Sequence, residues 1–528
     1  MPLRIEERMN SLQPGEMVSG LIQAAPETHR PELVRIANGT ALVFVATSFG
    51  LGLTYAYNIY LARYLGTGNY GLYALGLATF NVLSAISLAG LDSAMLKFLP
   101  GRVATKDEIG VRRMVSTILG LSLVFGFLIG GGLLLTSRLM AVGIFQKPEM
   151  GRVLGILALG IPAYAVSSVL ISALQAFQDV RWRTFVKYVS EPVAKVVLTV
   201  VLLWAGWNLD AALAAFVAAL VLSVVLAIAP LRRLLSRRQV GVSLSIPIGE
   251  VLTYSMPLLG TVLISSVASK ADMLLLGYWQ SADAVGVYSA AFLTSAIVVL
   301  VLQSFESIAL PYFSESLARK DRMQLDKLYK ILLRWALTFS FPIFLVMALL
   351  PKEILALFGK NFEDGAVCLV ILSLGQLLNA GTGSANNVLM MAGHTRWVMW
   401  NTLLFGILQV ALNLALIPRY GIVGAAVAAS ASLVLVNIVR VVEGFRLLGV
   451  QPYERPIWKS IAAGGGTWAV MWWLKEGWQV QNLILLVCAA VASYFVFLAA
   501  LGLDLEDVAV LREVGRQVRH RLAPLRQP

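Results

Sequence analysis

Residues 114–136 read MVSTILGLSLVFGFLIGGGLLLT, a run without one ionisable side chain, entered directly from Arg112 and Arg113. A helix of that length rises about 34 Å, enough to cross a hydrocarbon core of about 30 Å. A buried helix of a soluble protein is usually shorter and amphipathic, so this stretch reads as a membrane helix. Comparable runs recur along the whole chain. We place about 14 spans, near 39–61, 71–92, 114–136, 153–175, 184–205, 210–231, 251–279, 286–310, 331–350, 365–391, 397–418, 422–445, 457–475 and 480–502. Composition agrees: 58% of residues are hydrophobic, 13% are charged and the mean hydropathy is +0.77. A soluble chain is about a quarter charged. A water-exposed surface of this size would need more charge than the chain holds, which excludes the soluble class.

The expected fold is therefore an all-α polytopic membrane protein. Residues 1–37 carry Arg4, Glu6, Glu7, Arg8, Glu16 and Glu27 with no apolar core, so they read as a cytoplasmic tail and not as a cleavable signal. Loops are short; even those near 93–113, 232–250 and 311–330 run to only about 20 residues, too small for a soluble catalytic domain. With both termini inside, tails and alternate loops hold roughly 30 Lys and Arg against roughly 8 in the opposite loops, which fixes the orientation by the positive-inside rule. Arg232, Arg233, Arg237, Arg238, Arg319 and Lys320 belong to the inside set. That bias explains most of the net charge of +13; nucleic-acid binding would need a basic face on a soluble domain. Cys368 and Cys488 both lie in apolar runs and imply no disulfide framework. His29, His394 and His520 are too scattered for a metal site. No Gly-rich phosphate loop ending in Lys-Ser/Thr is present, so neither cofactor nor metal nor ATP hydrolysis is expected.

An internal repeat is more informative than the span count. Gly71-Leu-Tyr73-Ala recurs as Gly286-Val-Tyr288-Ser-Ala, and Gln178-Asp-Val-Arg181-Trp182 as Gly393-His-Thr-Arg396-Trp397. Trp207-Asn-Leu-Asp-Ala-Ala-Leu-Ala-Ala resembles Tyr420-Gly-Ile-Val-Gly-Ala-Ala-Val-Ala-Ala, and Leu99-Pro100 answers Leu310-Pro311. All pairs stand about 215 residues apart. The repeat covers spans 1–6 and 7–12. Six is even, so both halves enter the membrane in the same sense, related by an axis along the membrane normal, as in secondary transporters. The expected organisation is an N-lobe over 38–235, a C-lobe over 236–450, two appended helices over 451–503 and a basic cytoplasmic tail over 504–528.

Leu61-Ala-Arg63-Tyr-Leu-Gly66, followed by Tyr70-Gly-Leu-Tyr73-Ala, resembles the opening signature of the polysaccharide-type flippases of the MOP exporter superfamily. Asn413-Leu-Ala-Leu-Ile-Pro418-Arg-Tyr-Gly421-Ile-Val-Gly424-Ala-Ala is similar to the junction of that group's eleventh and twelfth helices. Asp272, Val285-Gly286-Val-Tyr288 and Leu310-Pro311 fit its seventh and eighth. The resemblance covers residues 38–445. It implies two six-helix lobes around a central cavity, alternating access, and a polyprenyl-diphosphate-linked oligosaccharide moved from the cytoplasmic to the outer leaflet. Related branches export drugs or carry the peptidoglycan lipid precursor, and some have two extra helices.

Ionisable residues inside spans are expensive and usually face protein or a water-filled cavity. Lys187, Glu191 and Lys195 are spaced by four on the fifth span and fall within about 80° of one helix face. Either that face lines the cavity and offers positive charge to a diphosphate, or it holds a structural ion pair with Lys187 snorkelling to the interface. On the seventh span Thr261, Ser265, Ser269 and Asp272 form a polar stripe. Lys270 lies about 160° from Asp272 around that helix, so each needs a partner elsewhere, and one of the two faces the cavity. Gln376, Asn379, Gly383, Asn386 and Asn387 line one side of the tenth span. Their amides suit sugar hydroxyls or, slightly preferred, interhelical hydrogen bonds with Gly381 and Gly383 allowing close approach. Gln303 and Glu306 share a face of the eighth span; Arg334 is expected to snorkel, Arg63 to anchor the first span, and Trp468, Trp472 and Trp473 to face lipid.

The sequence thus points to a flippase of a lipid-linked glycan for cell-surface polysaccharide such as O-antigen or other lipopolysaccharide. It would act in a bacterial inner membrane, with the bilayer and other polysaccharide-assembly membrane proteins as its surroundings. An ion-coupled exporter of cationic drugs would want acidic cavity residues, whereas Lys187, Lys195 and Lys270 suit an anionic headgroup. A membrane glycosyltransferase or polymerase would need positioned acid, base or metal ligands at a membrane face. The outer loops offer only scattered charges such as Asp283, Glu353, Glu363 and Asp364. A major-facilitator carrier would share the parallel repeat, but its basic loop after the second span is missing: the segment reads Leu99-Pro-Gly-Arg-Val-Ala-Thr-Lys-Asp-Glu.

Overall fold

A computed structural model describes residues 30–236, 248–451, 453, 457–474 and 482–502, and every regular element among them is a helix. One continuous helix over 30–88 would run about 88 Å, far beyond any bilayer. Gly66 breaks it, with φ 74° and ψ 177°, a conformation open to glycine because it has no Cβ. The chain turns back there: Tyr57 and Tyr73 share a side-chain hydrogen bond, although a straight helix would hold them about 24 Å apart. Gly421 (φ 55°) does the same within 395–448, bringing Gly424 against the Leu416 carbonyl. Nine stretches of the described residues are long and apolar enough to cross a membrane, and two of them, Val45–Leu88 and Thr395–Leu448, contain these turns.

Among the described residues fourteen long helices, some of them broken, follow in chain order, besides short turns such as Pro351–Leu355. They are α1 (30–65), α2 (67–88, continued by Leu91–Ala104), α3 (Glu108–Leu139), α4 (Met150–Ala158 and Gly160–Ala176) and α5 (Val180–Thr184, a π turn over Phe185–Ser190, then Glu191–Trp204). Next come α6 (Asn208–Ser236), α7 (Ile248–Trp279), α8 (Ala282–Ser295 and Ile297–Ala318), α9 (Arg322–Leu349) and α10 (Ala366–Ala380 and Ala385–Met391). The last are α11 (395–420), α12 (422–448), α13 (Ile457–Trp472) and α14 (Leu483–Ala500). The two tails, residues 1–29 and 503–528, lie outside the described residues, as does the loop 237–247.

The repeat is visible in the backbone. Residues with left-handed φ close corresponding loops at the same spacing of about 215: Lys106 with Lys320, Gln146 with Gly359, Gln178 with Gly393, and Gly206 with Gly421. A left-handed residue ends a helix by turning its last carbonyls inward, and the next residue can cap the helix that follows. Asp107 accepts from Gly110 N and Asp321 from Gln324 N, both at 2.9 Å. Side chains repeat too. Thr79 bonds the Leu75 carbonyl and Thr294 the Ala290 carbonyl.

The two lobes meet on the repeat axis. A Cβ on Gly71 would overlap the Ala282 carbonyl and lie 2.8 Å from Gly286 N. A Cβ on Gly286 would overlap the Thr67 carbonyl and lie 3.1 Å from Gly71 N. Residue i touches j while j's counterpart touches i's, the signature of a two-fold contact. Around it, Thr67 bonds Asp283, Arg63 Nε donates to the Leu357 carbonyl at 2.6 Å, and Lys147 Nζ donates to the Gly277 carbonyl at 2.6 Å. Arg63 therefore latches one lobe to the other, in place of the expected simple anchor. Burial of the Lys147 ammonium holds its pKa below the ordinary lysine value. At the opposite end of the interface, Phe98 on α2 packs edge-on against Tyr254 on α7 at 5.5 Å, and Lys97 Nζ sits 3.7 Å from the same ring.

Residues 46–454 form one compact unit, and the described parts of 30–45 and 457–502 belong to another. Within the second, α13 and α14 pack through Gly466, whose missing Cβ leaves room for the Phe497 ring. Trp468, Trp472 and Trp473 are exposed. Arg334 departs from expectation: it is only 9% exposed, on the buried face of α9, so it does not snorkel.

Candidate functional site

Pro192 shapes the site. It cannot donate to the carbonyl four residues back, and its ring crowds that carbonyl, which belongs to Tyr188. The chain answers with the π turn over Phe185–Ser190, a distortion frequent at functional sites. Gly50 on α1 then approaches the Tyr188 carbonyl so closely that a Cβ would lie 2.5 Å from its oxygen. This fixes how α1 and α5 flank a cavity of about 460 Å³ lined by α1, α2, α4, α5 and α6.

Lys187, Glu191 and Lys195 all line that cavity. The sequence stripe begins one step earlier than expected, because Arg183 lines it as well. Asp92 enters from α2, just past the break at Ala89 and Gly90, both left-handed. Three basic side chains thus face two acidic ones. Among the described residues no ion pair joins Glu191 to either lysine. Lys195 Nζ instead lies 4.7 Å from the centre of the Tyr57 ring, a cation–π contact. That ring is held by its hydroxyl, 3.1 Å from Thr199 Oγ1, and Thr199 bonds back to the Lys195 carbonyl at 2.7 Å. Ser167, Ser168, Ser172 and Gln175 add neutral hydrogen-bonding groups from α4. The arrangement can hold an anion by charge and a polyol by hydroxyls and amides. Every residue that lines it belongs to the N-lobe.

The other candidates lie elsewhere. Asp272 is 2% exposed; it accepts from the Tyr288 hydroxyl at 2.6 Å and from Met273 N at 2.8 Å. It occupies the repeat position of Tyr57, and Tyr288 that of Tyr73, so the two lobes carry corresponding side-chain bridges between α1 and α2 and between α7 and α8. Asp272 therefore does not face the cavity. Lys270 is half-buried and makes no hydrogen bond or ion pair among the described residues. Of the expected stripe, Ser265 and Ser269 each bond a carbonyl of their own helix, while the Thr261 side chain lies outside the described residues. Replacing Tyr288 with Phe is expected to lower unfolding stability by about 2–3 kcal/mol, because it strips a buried carboxyl of its strongest partner; chemical unfolding in detergent measures it.

Gln376 and Asn379 join α10 to α12. Asn379 Nδ2 donates to Gln376 Oε1 at 3.4 Å, Asn437 Nδ2 to Asn379 Oδ1 at 2.6 Å, and Arg440 Nη1 to Asn437 Oδ1 at 3.0 Å. Close approach comes from Gly375 against Ser430, while Gly383 (φ 61°) turns the chain at the break in α10. Glu306 accepts from Ser384 and Asn387, and Gln303 is exposed. Sequence reasoning missed Arg183, Asp92 and Tyr57. Arg183 was within reach, four residues before Lys187; the other two come together only through packing.

The pattern of the family described as polysaccharide biosynthesis protein matches residues 36–317, and that of the MatE family matches residues 257–415. AglR of Haloferax volcanii, a probable flippase, is 25% identical over 249 residues, or 45% of this chain and 51% of that protein. The chain thus spans about half the length of that relative. Agl15 of the same organism, a probable low-salt glycan biosynthesis flippase, is 21% identical over 402 residues, covering 75% of this chain and 81% of that one. Among solved structures, the lipid II flippase MurJ in an inward closed conformation matches with a TM-score of 0.66 at 14% identity, over 87% of this chain and 98% of that one. At that identity the likeness speaks for the fold alone.

Proposed function

Because this chain belongs to the polysaccharide biosynthesis protein family of the MOP superfamily, we propose that it flips a polyprenyl-diphosphate-linked oligosaccharide from the cytoplasmic to the outer leaflet. The observation that carries this reading is the cationic stripe Arg183, Lys187 and Lys195, set in a membrane-depth cavity that also offers hydroxyls and amides. A diphosphate needs the first and a sugar the second. The Lys and Arg asymmetry of the loops puts both termini in the cytoplasm, and the membrane is the plasma membrane, the inner one in a bacterium. The lipid tail stays in the bilayer while rocking of the N-lobe against the C-lobe gives the headgroup alternating access. Nothing is made or broken in the substrate; the protein is a carrier.

The test is leaflet exposure of a fluorescent polyprenyl-diphosphate oligosaccharide in proteoliposomes. Wild-type protein is expected to speed its appearance in the opposite leaflet at least tenfold over empty liposomes, in the presence of a proton or sodium gradient. The match of residues 257–415 to the MatE family supports a second reading, export of cationic drugs. Folded protein that moves a cationic dye but not the lipid would establish that one and sink the first.

A further inference from the structure

At the end of the N-lobe where α1 turns into α2, a second cavity of about 820 Å³ opens between the start of α2, the start of α4 and the turn from α5 to α6. We propose that this cavity is an outer docking site for pyranose units of the carried glycan, with Trp207 as the stacking platform; the inference rests on the flippase reading and extends it. Trp207 is 53% exposed and lines the cavity with Asn69, Glu149, Arg152, Asn208 and Asp210. An indole offers an apolar face to sugar C–H groups, while amides, carboxylates and guanidinium groups pair with ring hydroxyls. Volumes of this size are typical of small-molecule sites.

The platform is fixed in place. Gly206 and Asn208, on either side of Trp207, both have left-handed φ, of 86° and 47°. Trp207 N bonds the Leu202 carbonyl at 3.2 Å and Gly206 N the Leu203 carbonyl at 2.9 Å. Arg152 and Asp210 form an ion pair that ties α4 to α6 along the cavity wall.

The C-lobe supplies an internal control. Its corresponding turn has the same backbone reversal at Gly421; counted from that glycine, the positions of Trp207, Asn208 and Asp210 hold Ile422, Val423 and Ala425, and the aromatic of the C-lobe stretch, Tyr420, stands before the reversal instead of after it. Asn69 is answered by Ala284 and Arg152 by the uncharged stretch Gly365–Val367. The C-lobe builds this turn with Arg419 and Tyr420 before Gly421 and Gln280 beside it, but without counterparts of Asn208 and Asp210, so these two polar groups are particular to the N-lobe cavity. A Trp at a helix end can simply sit at the headgroup level, but that role needs no surrounding amides and ion pair.

Saturation-transfer NMR on the full chain in nanodiscs, with maltose, cellobiose, chitobiose and glucuronic acid as probes, tests the site. At least one sugar is expected to receive saturation. Trp207→Ala should cut that signal about tenfold, Asn69→Ala should weaken it, Trp207→Phe should retain most of it, and Ile422→Ala should leave it unchanged. Absence of transfer to every sugar, or a signal that both Trp207→Ala and Asn69→Ala leave intact, would overturn the inference. So would a Trp207-dependent signal from the nanodisc lipid headgroups alone. The flipping assay separates the two levels: wild-type flipping without sugar binding defeats the docking site only, and sugar binding at Trp207 without flipping defeats the flippase reading only.

Discussion

Gly71→Ala is expected to push the two lobes apart at the Gly71–Gly286 contact and to reduce transport at least tenfold. The new methyl group would overlap the Ala282 carbonyl. That atom is backbone inside a helix, so it cannot swing aside as a flexible side chain would. Overpacking of this kind costs about 1–3 kcal/mol, and each 1.4 kcal/mol of bias between open and closed forms is about tenfold in their ratio. Spin labels at the exposed positions Ala205 and Arg419, one in each lobe, on a background lacking Cys368 and Cys488, would report a longer separation. Gly286→Ala should do the same, because its methyl would overlap the Thr67 carbonyl. The double variant should add little to either single one, since both relieve their clash by the same separation. Unchanged distances together with wild-type transport would remove the contact from any part in the cycle.

Lys195→Ala should reduce flipping by roughly tenfold to a hundredfold while leaving the protein folded, as judged by its unfolding midpoint. A charge-assisted hydrogen bond is worth about 1.5–3 kcal/mol, and Lys195 is the cation set deepest along the stripe that starts at Arg183. Its ammonium forms no ion pair among the described residues and rests on the Tyr57 ring, so its charge is available to an anion. Lys195→Arg keeps the charge but not the point geometry, and should retain more activity than Lys195→Ala. Asp272→Ala makes the contrast: its loss should show first as lowered stability, through the Tyr288 bond. Full flipping by folded Lys195→Ala would take the cationic cavity out of substrate binding.

The large-scale fold was legible because its cause is local. Runs such as 114–136 announce membrane helices by length and absence of charge, and the repeat follows from comparing one half with the other. The partners of individual charges were not legible. Asp272 and Lys270 could be placed on opposite faces of α7 by helical periodicity, but which face meets Tyr288 depends on the turn at Ser281. Likewise the stripe Lys187, Glu191 and Lys195 was visible, yet its cavity is shaped by how α1 packs on α5 at Gly50 and Tyr188. Pro192 was in plain view as the origin of the π turn. Arg334 misled because its distance from the interface, read along one helix, says nothing of the neighbours that bury it.

The contacts at Gly71–Gly286 and at Phe98–Tyr254 stand at opposite ends of the same interface, and this bears on electrical leakage. A carrier embedded in an energised membrane must not become a pore for protons or sodium. Two barriers in series conduct only when both are open at once. Even if each opened independently in roughly 1% of molecules, a typical minor-state population, both would be open together in about one molecule in ten thousand; rocking, which closes one end as it opens the other, makes that coincidence rarer still. In the carrier proposed above, the cell's membrane potential would thereby be spared, however often either end opens alone.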